Sequence, residues 1–155
     1  MRVPRTDTPA VFARQIGKGR VVYFPFDIDR TFWEVLSADH LKLLQNALAW
    51  AHQEEQPLTV KGRGVLDVSL WMQKSSIAAH LVNLTNPMMM KGPIREIIPL
   101  SSQEVRIQIP AGRRVSKAQF LVGGQTPNWR QTGNVVSVTV PTIELHEVIA
   151  LDLVS

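Results

Sequence analysis

Apolar and polar residues alternate most clearly over residues 65–70, 105–109 and 135–140. A period of two puts one face of an extended segment on a core and the other in water. Reading the whole chain this way, with its turn residues as breaks, predicts strands over 57–61, 65–72, 76–84, 94–99, 104–109, 117–122, 134–140 and 146–153. The breaks are Gly62 and Gly64, Pro87, Gly92-Pro93, Pro110-Ala111-Gly112, Gly123-Gly124, Gly133-Asn134 and Pro141. Short strands at this spacing predict an antiparallel β-sandwich of the immunoglobulin-like kind.

The first third reads differently. The mixed run 11–16 and the run 20–26 are joined by Gly17-Lys18-Gly19, which predicts a hairpin with a three-residue link. Residues 20–26 are apolar at nearly every position, the pattern of a strand buried on both faces. Pro25 cannot donate to a ladder and marks an edge or an end. Residues 27–30 read as a loop and 31–36 as a helical turn. Leu41, Leu44, Leu48 and Ala51 then recur at helical spacing, with Ser37 as the N-cap and Asp39 in the first turn. This predicts a helix over 38–53, stopped by Pro57. The expected architecture is α+β and mainly β: residues 1–56 as a hairpin and helix, residues 57–155 as the sandwich.

Composition narrows the class. At 155 residues with 45% hydrophobic and 19% charged residues, the chain is globular, not disordered. Zero Cys excludes a disulfide scaffold, a Cys-ligated zinc site, an Fe–S site and a thiol nucleophile. No apolar run is long enough to span a bilayer, and Met1 to Asp7 has no apolar stretch behind it, so no secretory signal is expected. The expected location is the cytoplasm, with no membrane partner. Residues 61–130 carry ten Lys and Arg against three acids, but the only adjacent pair is Arg113-Arg114. A nucleic-acid footprint clusters its cations, so nucleic acid is not an expected partner.

Candidate chemistry is sparse. Asp27-Ile28-Asp29 has a D-x-D spacing that could offer oxygens to a divalent cation. Its simpler role is to cap a helix or pair with Arg30. His40, His52, His80 and His146 share no metal-ligand spacing. Ser75-Ser76 and Ser101-Ser102 lack a nucleophile elbow. Glu34, Glu96, Glu104, Glu144 and Glu147 offer carboxylates, but nothing in the spacing makes two converge. No catalytic residue, metal ligand or cofactor is therefore expected. Among Trp33, Trp50, Trp71 and Trp129, Trp50 falls on the helix stripe and belongs to packing. Trp129, in the Gly/Pro/Asn loop 123–130, is expected to be the most exposed, with Trp71 at a strand end. These two are the candidates for stacking on sugar. Asn83-Leu84-Thr85 matches a glycan-acceptor pattern. Met88-Met89-Met90 offers an adaptable apolar patch in a Pro-bounded crossover.

Residues 17–27, then Trp33, then residues 40–50 (His-Leu-Lys-Leu-Leu-Gln-Asn-Ala-Leu-Ala-Trp) look like the end of a glutamine-amidotransferase-like domain. The stretch is similar to the β-galactosidase trimerisation domain that follows the catalytic barrel in family 42 glycosidases and related glycoside hydrolases. Residues 80–93 and the strands after them resemble the β-sandwich tail of such proteins. In that family the catalytic acid and nucleophile lie on the barrel, which this chain lacks, so no catalytic residue is carried over. The resemblance implies a C-terminal piece of a larger enzyme, or a gene that has lost its front end. Its function would be an accessory and assembly region of a β-galactosidase-like glycoside hydrolase, partnered by the catalytic part. The alternative is a carbohydrate-binding module using Trp129 and Trp71. A third reading, an enzyme built on Asp27, Asp29 and a histidine, has only the D-x-D spacing behind it. An α/β strand cut from its neighbours exposes edges and apolar surface, so self-association is expected.

Overall fold

The computed structural model describes residues 7–35, 37–85 and 96–155. It divides into two compact units, Met1–Glu55 and Gln56–Ser155. The Met-rich stretch 88–90 lies outside the described residues.

The first unit is a hairpin and two helices. Strands β1 (Phe12–Ile16) and β2 (Gly19–Tyr23) pair antiparallel with Ile16 opposite Gly19. The turn is therefore Gly17-Lys18 alone, one residue shorter than expected. Gly17 has φ 59°, the glycine-first pattern of a type II′ turn, whose twist suits the strands. Helix α1 spans Ile28–Val35 and begins within the segment expected to be a loop. Two local contacts start it early. The Asp27 carbonyl accepts from the Thr31 amide and hydroxyl at 3.0 and 2.7 Å, and its carboxylate meets Arg30 at 2.9 Å.

Helix α2 spans Ala38–His52. Ser37 Oγ accepts from the His40 amide at 3.5 Å, and Gln53 closes the helix with φ 60°. Arg20 of β2 reaches α2. Its Nη1 donates to the Trp50 carbonyl at 3.0 Å, and its guanidinium lies 5.1 Å from the Trp50 ring centre, over the ring.

Among the described residues of this unit only Ile28 is buried. Strand β2, expected to be covered on both faces, leaves Val21 and Tyr23 about half exposed (48% and 59%). A two-stranded ribbon has no further strands to carry covering elements, so its apolar residues stay at the surface.

The second unit is a β-sandwich. Its strands are β3 (Leu58–Lys61), β4 (Leu66–Met72), β5 (Ser76–Asn83), β6 (Gln103–Gln108), β7 (Arg114–Phe120), β8 (Trp129–Thr132), β9 (Val135–Val140) and β10 (His146–Val154). One sheet has the order β4-β5-β10-β7, the other β3-β6-β9-β8, and every pairing is antiparallel. Strands β6 to β10 occupy the places of strands B to F in an immunoglobulin sandwich, whose sheets run A-B-E-D and C-F-G. Strand β5, made before them, fills the place of G beside β10.

The alternation seen in the sequence sets the core. In β5 the odd residues Ile77, Ala79 and Leu81 are fully buried. In β6 and β9, Val105, Ile107, Val136, Val138 and Val140 face them across the sandwich in a single cluster. Seven of the eight expected strands form. The strand expected over 94–99 does not: residues 96–99 are irregular, and only Leu100 bridges to Ile143. Strand β8 takes its place in the fold, where a loop was expected. Its four residues, Trp-Arg-Gln-Thr, carry no apolar alternation to announce it.

Polar side chains close one end. Asn83 is 5% exposed, and its Nδ2 donates to the carbonyls of Ile98 (2.8 Å) and Glu144 (2.7 Å), while Oδ1 accepts from the Thr85 amide at 2.9 Å. Gln103 is 1% exposed and donates to the carbonyls of Arg63 and Ser101. A Cβ at Gly62 would fall on the Gln103 amide, so a larger residue there displaces that buried side chain from its hydrogen bonds. Replacing Asn83 by Leu strands buried carbonyls and an amide at once. It is expected to cost about 3 kcal/mol, read as a lower urea midpoint by circular dichroism; a loss under about 1 kcal/mol contradicts this role.

Candidate functional site

The outward residues of the two sheets are where chemistry can be displayed. On the β4-β5-β10-β7 face, Trp71, Ala78, Ala150 and Gln119 lie in one cross-strand row. The next row holds Ser69, His80 and Val148, and the third Asp67, Val82 and His146. Trp71 is 63% exposed on the edge strand, with only the small Ala78 opposite it.

His80 and His146 meet on this face. His80 Nδ1 and His146 Nε2 are 3.3 Å apart, the ring centres 5.4 Å apart, and the planes 14° from parallel. The centre-to-centre distance is close to the nitrogen separation plus two ring radii. The nitrogens therefore lie between the centres, and the rings sit side by side in nearly one plane, not face to face. That is an N–H···N hydrogen bond between one donor and one acceptor imidazole nitrogen. It ties β5 to β10 across their diagonal.

On the opposite face, Arg106 of β6 and Arg130 of β8 both flank Ser137 of β9 in one row. A shallow depression of about 430 Å³ is lined here by Glu104, Arg106, Asn128, Trp129, Arg130 and Ser137 among others. Trp129 was expected to be the most exposed tryptophan, in a loop. It begins β8 opposite Val138, is half-buried and packs against the core. Trp71 is the more exposed of the two candidates.

The Glu104 and Glu147 carboxylates do not converge. Glu104 is exposed on the outer face of one sheet, while Glu147 belongs to the other and is 5% exposed. Glu147 borders a depression of about 370 Å³ with Phe120, Gly123, Gln125 and Pro141. Its oxygens are committed. Oε1 accepts from Val122 (3.0 Å) and Val148 (2.8 Å), and Oε2 from Gly123 (3.0 Å). This carboxylate fastens the turn after β7 and is not presented to a substrate. Strand β7 ends at Phe120, two residues before the expected end, because Val122 and Gly123 turn onto it.

The remaining candidates have local roles. Asp27 is paired with Arg30, and Asp29 lies in the first turn of α1. His40 and His52 are on α2, and the buried Nδ1 of His40 has no partner among the described residues. Trp33 is exposed on α1. Asn83 is buried with its amide engaged on both sides, so it is not a glycan acceptor. Ser76 donates to Gln73 beside it. Among the described residues, no three His, Asp or Glu are placed to hold a metal ion, and no helix is long and apolar enough to cross a membrane.

No protein-family model and no curated protein matches this chain in sequence. A solved structure is similar to it: α-L-fucosidase isoenzyme 2 from Paenibacillus thiaminolyticus, with a TM-score of 0.75 over 98% of this chain and 23% of that one. The fold is glycoside hydrolase-like. Sequence identity is 18%, so the likeness is one of fold alone. The chain spans less than a quarter of the length of that enzyme. The paired arginines and the histidine pair had no sequence signal of their own, since each is assembled from strands distant along the chain.

Replacing Glu147 by Gln keeps the shape but turns an N–H donor toward a backbone N–H. The expected cost is about 2 kcal/mol, with faster hydrogen exchange at the Val122 and Gly123 amides. Unchanged exchange at those two amides would show that the carboxylate does not hold the turn.

Proposed function

We propose that this chain is a non-catalytic accessory and assembly region of a larger glycoside hydrolase-like protein. The observation that carries the reading is the likeness that takes in 98% of this chain and 23% of an α-L-fucosidase. A piece of that size, with its one buried carboxylate bound to backbone amides, is suited to a supporting role beside a separate catalytic part. The resemblance of residues 17–50 to a β-galactosidase trimerisation domain makes the parent β-galactosidase-like and assigns the first unit to assembly. Among the described residues the hairpin leaves both strand edges unpaired and much of its apolar surface exposed, which favours pairing with a second copy. The purified chain is expected to release no product from aryl-glycosides. Hydrolysis abolished by a single carboxylate substitution would overturn the reading. Light scattering at high concentration is expected to give a mass above that of the 17.4 kDa monomer, and a clean monomer would remove the assembly role.

A second reading is a carbohydrate-binding sandwich, and the exposure of Trp71 favours it. An indole beside a small alanine offers a flat apolar platform, and Ser69, His80 and Gln119 supply polar groups around it. A neutral oligosaccharide is then expected to bind saturably, with binding lost in Trp71→Ala. The same isotherm in wild type and variant would exclude this platform.

A further inference from the structure

We propose that the depression on the β3-β6-β9-β8 face binds the carboxylate of an acidic saccharide. This rests on the carbohydrate reading above and names a ligand class and a second site for it.

The argument begins with Arg106 and Arg130. Both stand in one row, on either side of Ser137. Two strand spacings put their Cα atoms about 9–10 Å apart, within the span that two arginine side chains close on one small anion. Neither guanidinium has a hydrogen-bond or ion-pair partner among the described residues, although each carries five fixed donors. Lys61 lies in the adjacent row opposite Glu104, so the face carries three cations against one carboxylate. Planar, paired donors around a concave site are the arrangement that grips a carboxylate in two parallel hydrogen bonds.

The rest of the lining distinguishes a sugar acid from other anions. Ser137, Thr139 and Asn128 offer neutral donors and acceptors, and Glu104 offers an acceptor. A bare anion could accept from the neutral donors but has no hydroxyl to offer the Glu104 carboxylate. A polyanionic backbone needs a track of cations, and only two line the depression. A ligand with one carboxylate and several hydroxyls uses all of them. The arginines take its charge, and the polar groups take its hydroxyls.

The test uses the full chain with an oligogalacturonate and with its methyl-esterified, uncharged counterpart, by titration calorimetry. The acidic form is expected to bind and the ester not. Arg106→Gln and Arg130→Gln are each expected to weaken binding on the order of tenfold or more. Lys117→Gln, on the other sheet, is expected to leave it unchanged. Both arginines are exposed and have no partner among the described residues, so the variants should melt with the wild type. Equal binding of the ester overturns this inference and leaves the carbohydrate reading standing. Binding of inorganic phosphate or sulfate with no binding of the saccharide reduces the site to a bare anion site and overturns it. If neither the acidic nor the neutral saccharide binds, and Trp71→Ala has nothing to abolish, both readings fall together.

Discussion

The sandwich depends on the inward alternation of β5 and β10 against β6 and β9. Ile77, Leu81, Ile149 and Leu151 from one sheet share a core with Val105, Ile107, Val136 and Val140 from the other, and none is more than 1% exposed. Because the side-chain period is two, that choice also fixes what faces water. Trp71, His80, Arg106 and Arg130 are displayed on outer faces because their neighbours in sequence are committed inward. A one-residue slip in β6 would bury Arg106 and expose Val105. The surface chemistry is thus set by apolar burial first, to which the His80–His146 hydrogen bond adds.

The ends of the sandwich are closed by a different force. Asn83, Gln103 and Glu147 are buried polar side chains whose partners are largely backbone groups of irregular segments. Such groups are costly unless satisfied, and here each is satisfied by the loop it restrains. A chain with no cysteine to staple its loops uses side-chain amides and a carboxylate for that purpose. The same economy explains the absence of a presented general acid in Glu147: two of its hydrogen bonds hold a turn, and the third comes from the neighbouring Val148 amide.

Much of the architecture was legible because it rests on periodicity. The alternating runs became β4, β6 and β9, and helix α2 begins and ends within a residue of its expected bounds. What escaped had no periodic signal. Strand β8 is four residues with no apolar alternation, recruited by pairing with β9. Helix α1 started early through the Asp27 contacts, which depend on side-chain geometry more than on pattern. The candidate sites were legible only as residue types. Trp71 was expected at a strand end and Trp129 in a loop, and their exposures are the reverse of the expected order. That order follows from β8, whose pairing turns Trp129 inward. The pairs Arg106–Arg130 and His80–His146 exist only through sheet order, and sheet order is the least readable property of a β sequence.

Strand β10 lies between β5 and β7, so the β4-β5 hairpin and β7 have no direct link in their sheet until it arrives. Sixty-odd residues separate His146 from its diagonal neighbour His80. Pairings of such long sequence separation close slowly, because loop entropy is lost before contacts repay it. During synthesis the ribosome must therefore release a chain whose β5 carries Ile77, Leu81 and an unpaired edge into solution. Until then β5 keeps its inner apolar face and one edge uncovered, an exposure that favours misassembly before the fold is complete.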